Sequence, residues 1–144
     1  AWLRQRFMFC TASAGPGTAN LLTAAGLAHA NRLPMMMLCG DTFLTRLPDP
    51  VLQQMENFND PTFGVNDAFK PGSRYWDRIT HPAQIIQSLP AALATMLDPG
   101  DCGPVFLGLP QDVQGLEGVV VGQAVDLSDL CDGALQVLPV LQIG

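Results

Sequence analysis

The chain alternates short apolar runs with longer segments of helical character. The runs Phe7–Cys10, Met35–Cys39 and Val105–Leu109 are apolar on both faces and too short for helices, so they are predicted to be buried strands. The alanine- and leucine-rich segment between the first two runs predicts a helix over Thr18–Ala30. A strand, a helix and a strand within about 35 residues form the unit of a parallel sheet, which indicates an α/β fold.

A second strand and helix precede the last apolar run. Ser73–Ile79 is predicted to be a short strand, and Thr80 is expected to cap a helix that ends near residue 97. Pro90 falls inside this helix and predicts a kink or a break near Ser88. Together these elements predict a three-layer α/β/α fold with a mostly parallel sheet. Apolar residues recur at helical spacing on one face of the helix: Ile85, Leu89, Leu93 and Met96.

The segment 42–70 has no clean hydrophobic period. Its prolines and its mixture of Asn, Asp and Phe are typical of irregular structure, with one short helix predicted over Asp49–Asn57. Long irregular segments in compact domains usually carry function or are disordered. Its aromatic residues argue against disorder, so we expect an ordered loop region beside a site. These residues are Phe43, Phe58, Phe63 and Phe69.

Charge and composition exclude two classes of partner. The net charge is -6, and all seven Lys and Arg lie within residues 1–78. Nucleic acid is not expected, because phosphate binding needs clustered positive charge. A membrane is not expected either, because no apolar stretch approaches the roughly 20 residues of a membrane helix. With 48% apolar and 14% charged residues, part of the apolar surface is expected to contact something other than water.

The four cysteines are Cys10, Cys39, Cys102 and Cys131, without any C-x-x-C pair. This usage favours buried, reduced thiols over zinc ligands or disulfides. Reduced thiols and the lack of a signal-peptide pattern at the start of the sequence predict a cytoplasmic protein.

The turn between the first strand and the first helix reads T-A-S-A-G-P-G-T-A-N, from Thr11 to Asn20. Gly15 and Gly17 around Pro16 permit backbone conformations that a side chain would forbid, and they let a ligand approach the main chain. The first N–H groups of the following helix would point toward such a ligand. G-P-G is neither G-x-G-x-x-G nor a Walker loop. From spacing alone, a structural turn and a cofactor-contacting turn both stay open.

Three motifs, in this order and spacing, resemble the pyrimidine-binding domain of thiamine-diphosphate enzymes of the acetolactate synthase type. They are C-T-A-S-A-G-P-G-T-A-N, N-R-L-P-M-M-M-L-C-G-D and C-G-P-V-F-L-G-L-P-Q-D-V-Q. The middle of the chain is similar to the inositol-catabolic hydrolases that act on a trihydroxycyclohexanedione. It reads D-T-F-L-T-R-L-P-D-P-V-L-Q-Q-M-E and then N-D-A-F-K-P-G-S-R-Y-W-D-R-I-T-H-P-A-Q. The resemblance covers residues 4–114.

The resemblance implies a cofactor, a reaction, and the residues that would lie near the cofactor and near the substrate. Thiamine diphosphate with Mg²⁺ would be the cofactor, and Gly15, Pro16 and Gly17, with Asn20, would lie near its aminopyrimidine ring. The implied reaction is hydrolytic cleavage of a carbon–carbon bond in a cyclic diketone during myo-inositol catabolism. The implied substrate-side residues are Thr42, Arg46, Asp49, Gln53 and Gln54.

The resemblance also implies parts outside this sequence. In such enzymes a glutamate on an earlier strand activates the cofactor, and that strand would precede Ala1. The diphosphate and Mg²⁺ site would belong to another domain after Gly144. We therefore expect residues 1–114 to be a partial pyrimidine-binding domain, inactive alone, in which no catalytic or metal-binding residue is assigned. Residues 115–144 are expected to be a tail or linker.

The expected partners are a small-molecule substrate, the remaining domains and a second subunit of the same enzyme, in a homo-oligomer. The alternative within the superfamily is another thiamine-diphosphate enzyme, such as an acetolactate synthase or an oxalyl-CoA decarboxylase. The alternative from another class is a non-catalytic remnant that self-associates through an exposed sheet edge and an apolar face.

The other polar candidates are mostly expected to be structural. Glu56 is predicted to lie on a solvated surface. His29 and His81 have no nucleophile or carboxylate at a recognisable spacing, so packing or surface roles are expected. A further group is expected either to form surface ion pairs or to bind a polyol: Arg74, Tyr75, Trp76, Asp77 and Arg78.

Overall fold

The core of the fold is one parallel sheet, seen in a computed structural model that describes residues 7–45, 55–60 and 62–116. Its four strands are β1 (Met8–Ala12), β2 (Met35–Asp41), β3 (Tyr75–Arg78) and β4 (Pro104–Pro110). They lie in the order β1-β2-β4-β3, and all three pairings are parallel. The prediction of an α/β fold with a parallel sheet is confirmed.

Helices connect the strands. α1 (Pro16–Ala19) and α2 (Leu22–Ala30) lie between β1 and β2, α3 (Ile85–Met96) lies between β3 and β4, and α4 (Gln111–Gln114) follows β4. Short 3₁₀ helices occur at Val65–Phe69, before β3, and at Pro82–Gln84, before α3. Within the described ranges, no helix has the length and apolar character needed to cross a membrane.

A helix covers each face of the sheet. Side chains alternate between the two faces along a strand, so consecutive residues of β2 enter opposite cores. The core under α2 consists of Ala25, Ala28, Met35, Met37, Cys39, Phe69 and Phe106. The core under α3 consists of Met36, Ile79, Ala92, Met96, Val105, Leu107 and Val113. This helix–sheet–helix layering confirms the predicted three-layer architecture.

An aromatic stack anchors the segment before β3. Phe69, which is fully buried, stacks on Phe106 of β4 with ring centroids 4.6 Å apart. Trp76 of β3 lies parallel to Phe106 at 6.3 Å. Burial of an aromatic ring contributes about 1.5–3 kcal/mol. This packing orders the end of the irregular segment, as its aromatic content predicts.

The first predicted helix begins earlier than expected and is divided. α1 begins at Pro16 rather than at Thr18, because proline needs no hydrogen bond for its nitrogen and its fixed φ suits the first helical position. The N–H of Leu21 donates to the carbonyl of Thr18 at 2.9 Å. A hydrogen bond between residues i and i+3 is of the 3₁₀ type and winds the backbone more tightly than an α-helix, so it separates α1 from α2.

The predicted cap of the second helix is wrong. Thr80 donates its N–H to Oε1 of Gln84 at 2.9 Å. The cap residue is His81, whose Nδ1 accepts from the N–H of Ala83 at 3.2 Å. The side chain of Gln84 therefore occupies the backbone N–H of Thr80. His81 caps the 3₁₀ helix Pro82–Gln84, and α3 itself begins at Ile85.

Pro90 does not divide α3, which is continuous over Ile85–Met96. Pro90 lies at an exposed position. Solvent can therefore hydrate the carbonyl that loses its helical partner. The expected break near Ser88 is wrong.

Two further sequence predictions concern residues that are largely undescribed. Most of the predicted helix Asp49–Asn57 lies outside the described residues. Its described end is extended, because Glu56 forms an isolated antiparallel bridge with Gly64. The boundary at residue 114 and the tail 115–144 stay predictions, since residues 117–144 also lie outside.

Candidate functional site

The carboxyl ends of the four strands lie at one edge of the sheet, because all four run in the same direction. Open α/β sheets bind their ligands in crevices at this edge. One pocket of about 350 Å³, the turn pocket, is lined by Thr11, Ala12, Ser13, Ala14, Leu38, Gly40, Asp41, Leu109, Gln111 and Gln114. Another of about 210 Å³, the arginine pocket, is lined by Thr42, Phe43, Leu44, Glu56, Asn57, Phe58, Thr62, Phe63, Gly64 and Arg78.

The glycine–proline turn is fixed by its own hydrogen bonds. The carbonyl of Ser13 accepts from the N–H of Thr18 at 3.0 Å and from its hydroxyl at 2.8 Å. Gly15 has φ 73° and ψ -123°. A positive φ is strained for residues that carry a side chain, so the turn requires glycine at position 15.

The end of β2 approaches this turn closely at Gly40. A Cβ built on Gly40 would lie 2.8 Å from the backbone nitrogen of Ala14. Real Cβ atoms do not approach a backbone atom so closely. Glycine at position 40 therefore lets two backbone segments meet at the rim of the turn pocket.

The predicted cofactor-contacting residues all lie at this edge, with different exposure. Gly15 is buried, Gly17 is half-buried, and Pro16 and Asn20 are exposed. The described lining of the turn pocket ends at Ala14 on this segment, so the pocket adjoins the four residues rather than coinciding with them. Their contact with a cofactor stays a prediction.

One of the five predicted substrate-side residues is described. Thr42 lines the arginine pocket, and its N–H donates to Oδ1 of Asp41 at 2.8 Å. Outside the described residues lie Arg46, Asp49, Gln53 and Gln54, whose role stays a prediction.

Arg78 connects the ends of two strands to the segment between them. Its Nε donates to Oδ2 of Asp41 at 2.6 Å, and its Nη2 donates to Oδ2 of Asp67 at 3.1 Å. The carboxylate side chains are 1% and 2% exposed, against 22% for Arg78. Burial alone would lower the pKa of Arg78, but the two carboxylates outweigh it and raise that pKa. The guanidinium is therefore held both charged and in place.

Asp67 collects three donors. Besides Arg78, its carboxylate accepts from the N–H of Gly64 at 2.7 Å and pairs with Nζ of Lys70 at 2.7 Å. Burial raises the pKa of Asp67, but these donors outweigh burial and the pKa is lowered. Both cations also lie over the ring of Trp76, at 4.3 Å for Lys70 and 5.3 Å for Arg78. The cluster thus joins β3 to the irregular segment.

Two buried oxygens at this edge have no hydrogen-bond partner in the described structure: Oε1 of Glu56 and Oδ1 of Asn66. Asn66 is fully buried, and its Nδ2 donates to the carbonyl of Gly40 at 3.0 Å. Glu56 lines the arginine pocket and is half-buried, so the predicted solvated-surface position is wrong. An unsatisfied buried oxygen costs about 1–3 kcal/mol and calls for a water or ligand partner.

Asp112 of α4 holds the segment that follows β2. Its carboxylate accepts from the N–H of Leu44 at 3.1 Å and from the N–H of Thr45 at 3.0 Å. Burial raises the pKa of Asp112, but these N–H groups outweigh burial and the pKa is lowered. Leu44 lines the arginine pocket and α4 borders the turn pocket, so one carboxylate stabilises the rims of both.

Asp77 and Arg74 have structural partners. Asp77 accepts from Nε2 of Gln84 at 3.0 Å and from the hydroxyl of Ser88, which attaches α3 to β3. Arg74 Nε lies 3.4 Å from Oδ1 of the exposed Asp101, as a loose ion pair without hydrogen-bond alignment. Of the group predicted to form ion pairs or bind a polyol, Arg78 is the member that lines either pocket.

The histidines and the described cysteines belong to the framework. Nδ1 of His29 lies 3.1 Å from the carbonyl of Gly72, a packing position as predicted. Cys10, Cys39 and Cys102 are free thiols, and burial raises the pKa of Cys39 to about 11. Cys131 lies outside the described residues. Within the described ranges, no three His, Cys, Asp or Glu side chains are grouped to hold a metal ion.

Two curated proteins of similar sequence share one name. Over 112 residues the chain is 49% identical to a protein of Bacillus cereus (strain AH820) named 3D-(3,5/4)-trihydroxycyclohexane-1,2-dione hydrolase. Over 113 residues it is 52% identical to a protein of that name from Shouchella clausii (strain KSM-K16). The chain is homologous to part of these hydrolases. No protein-family profile matches it.

The match to the trihydroxycyclohexanedione hydrolases covers most of this chain but only a small part of each hydrolase. Each alignment covers 78% of this chain but only 17% or 18% of the relative. The chain therefore spans less than a fifth of the length of the curated relatives it matches. Most of each hydrolase lies outside the matched segment.

In this homologue of the trihydroxycyclohexanedione hydrolases, sequence reasoning missed Asp41 and Asp67 and undervalued Glu56. One signal was available for Asp41, which directly follows a buried parallel strand and so lies at the ligand-binding edge. Asp67 lies in an irregular segment, where no local pattern shows that its side chain turns inward.

Proposed function

We propose that this chain is part of a thiamine-diphosphate-dependent hydrolase that opens a trihydroxycyclohexanedione ring by cleaving a carbon–carbon bond, in myo-inositol catabolism. The observation that carries the proposal is the 49% identity over 78% of the chain to proteins named for that reaction. A parallel sheet with pockets at its carboxyl edge suits a ligand-binding role.

The turn pocket fits the pyrimidine end of the cofactor. Gly15 adopts a conformation that favours glycine, and Gly40 lets the end of β2 approach the backbone of Ala14 closely, with no side chain at either position. Such bare backbone lets a flat heteroaromatic ring approach main-chain donors and acceptors. Gly15, Pro16, Gly17 and Asn20 would hold the ring from the turn. When bound, thiamine diphosphate supplies a carbon nucleophile for the substrate carbonyl.

The remaining functions are assigned to other parts of the enzyme. The diphosphate and Mg²⁺ would be bound by a further domain, and the activating glutamate would come from another strand. Thr42 would face the substrate together with Arg46, Asp49, Gln53 and Gln54. The free thiols of the described cysteines support a cytoplasmic location.

The test is an assay of the full-length polypeptide that carries this sequence. Titration calorimetry should detect thiamine diphosphate in the presence of Mg²⁺, and the enzyme should open the cyclic diketone. Condensation of pyruvate is the comparison, because it would instead indicate an acetolactate synthase. An enzyme that binds no thiamine diphosphate, or that leaves the diketone intact, overturns the proposal.

We further propose that a second subunit of the same enzyme packs against this domain. Large apolar side chains are exposed on both sides of the sheet, with Leu27 of α2 62% exposed and Leu97, after α3, 51% exposed. Exposed apolar surface of this kind is typical of protein interfaces. Size-exclusion chromatography with light scattering should give a closed oligomer. Open-ended, concentration-dependent growth would instead indicate the self-associating remnant, and a monomer would refute both.

A further inference from the structure

Arg78 has donor capacity left over for the arginine pocket. Its Nε and Nη2 are bonded to Asp41 and Asp67, whereas no described residue accepts from Nη1. The side chain keeps 22% of its surface exposed and lines the pocket. Two buried carboxylates fix its orientation, so its free N–H groups are presented without a further loss of side-chain entropy.

The other polar groups of the pocket divide into occupied and free ones. The hydroxyl of Thr62 donates to Asp60, and the carboxamide oxygen of Asn57 accepts from the N–H of Asn59. By contrast, Oε1 of Glu56 is without a partner, and no hydrogen bond from the hydroxyl of Thr42 is present in the described structure. A donor group, an acceptor group and a hydroxyl therefore remain around one cavity.

The charges around the pocket favour a neutral occupant. The described lining of the pocket carries one charge of each sign, the guanidinium of Arg78 and the carboxylate of Glu56, and the latter pairs with no described cation. An anion bound at Arg78 would be repelled by Glu56, and a cation bound at Glu56 would be repelled by Arg78. A ligand that offers both donors and acceptors without net charge avoids both penalties.

The walls and the size of the pocket favour a small ring. Phe43, Phe58 and Phe63 line it, and Phe58 and Phe63 are 80% and 56% exposed. Aromatic side chains pack well against the C–H face of a hydroxylated ring. The volume of about 210 Å³ is below the roughly 300–1,000 Å³ of sites for drug-sized ligands.

We propose that the arginine pocket binds a neutral, polyhydroxylated six-membered ring, with Arg78 donating to its oxygens and Glu56 and Thr42 accepting from its hydroxyls. The choice of a cyclic polyol rests on the proposed function. Glu56 lines the pocket, and its Oε1 has no hydrogen-bond partner in the described structure.

The experiment uses the full-length polypeptide in the absence of thiamine diphosphate. The probe is myo-inositol, a neutral cyclic hexol. Saturation-transfer NMR and titration calorimetry should detect binding. Glu56→Gln should weaken it about tenfold, because hydrogen bonds to a charged group are the stronger ones. Thr42→Val, which keeps the shape and removes the hydroxyl, should weaken it about fivefold.

The controls separate the site from the fold. Asp101→Asn removes an exposed carboxylate far from the pocket lining and should leave the affinity for myo-inositol unchanged. Thermal unfolding of the Glu56 and Thr42 variants should match that of the unmodified protein. Glucuronate, an anionic relative of the probe, should bind at least about tenfold more weakly than myo-inositol.

Two results would overturn the inference: myo-inositol affinity that neither variant changes, or tighter binding of glucuronate than of myo-inositol. These results are separate from those for the proposed function. A polyol-binding protein with the expected variant effects but no ring-opening activity would refute only the function. An active hydrolase whose affinity for myo-inositol is unchanged by Glu56→Gln and Thr42→Val would refute only the proposed polyol site.

Discussion

Replacing Gly40 with alanine should destabilise the fold at the rim of the turn pocket. The new Cβ would lie 2.8 Å from the backbone nitrogen of Ala14 and 3.5 Å from its Cα. Neither atom can rotate away as a flexible side chain would. The turn is also held by the two bonds between Ser13 and Thr18. Either the end of β2 or the turn must therefore move.

The size of the effect follows from this overlap. Overpacking that forces backbone shifts costs about 1–3 kcal/mol. At roughly 4 °C per kcal/mol for a domain of this size, Tm should fall by about 4–12 °C. Gly26→Ala is the matched control, because nothing lies within 4 Å of a Cβ built there. On an exposed helical position, alanine should stabilise by about 0.5–1 kcal/mol.

The assay is urea unfolding followed by far-UV circular dichroism, with both variants in the same polypeptide. The midpoint should fall for Gly40→Ala and rise for Gly26→Ala, with unchanged slopes. If the two variants shift the midpoint in the same direction, or if Gly40→Ala leaves it unchanged, the close approach of β2 to the turn is refuted. As a second readout, Gly40→Ala should weaken thiamine diphosphate binding and Gly26→Ala should not.

Three other outcomes are expected. Asp41→Asn should lower the free energy of unfolding by about 2–3 kcal/mol, because it leaves Arg78 with one carboxylate in a mostly buried site. Asp101→Asn, at an exposed ion pair, should lower it by less than about 1 kcal/mol. Equal losses for the two variants would contradict this. Because the fold lowers the pKa of Asp67, the ionised carboxylate stabilises the folded protein. This contribution is present above the pKa of Asp67 in the unfolded chain and is lost as the pH falls through the pKa in the folded protein. The deficit of Asp67→Asn against the unmodified protein should therefore be full at pH 7 and shrink below about pH 4, and a constant deficit would count against it. With its pKa raised to about 11, Cys39 should be on the order of 0.1% thiolate at pH 8 and should resist iodoacetamide until the protein is unfolded, as mass spectrometry would show.

The strands could be predicted because their signal is local. A short run that is apolar on both faces indicates a strand covered on both sides, and β2 and β4 are such strands. The helix starts were less predictable, because a side chain one turn further along the chain can bind the residue that would otherwise be the cap. Gln84 binds the backbone of Thr80, and that contact cannot be read from the residues that normally mark a cap.

The arginine pocket could not be predicted from sequence because its residues meet only through strand order. Arg78 and Asp41 are 37 residues apart, and Arg78 and Asp67 are 11 apart. The sequence indicates four parallel strands but does not indicate that β3 pairs with β4 and leaves β4 between it and β2. Glu56 was likewise misplaced, because an extended bridge to Gly64 took the place of the expected helix.

The strand order explains how a charged pair can cross a strand that carries no charge. β2 and β3 are not neighbours, so Asp41 and Arg78 must reach each other over β4. Arg78 is in register with Gly108 of β4, and a Cβ at Gly108 would lie 2.9 Å from Oδ2 of Asp41. The missing side chain therefore leaves the gap in which the carboxylate and the guanidinium meet. Because Asp41 also borders the turn pocket and Arg78 lines the arginine pocket, this crossing places the proposed cofactor and polyol sites side by side on one rigid edge.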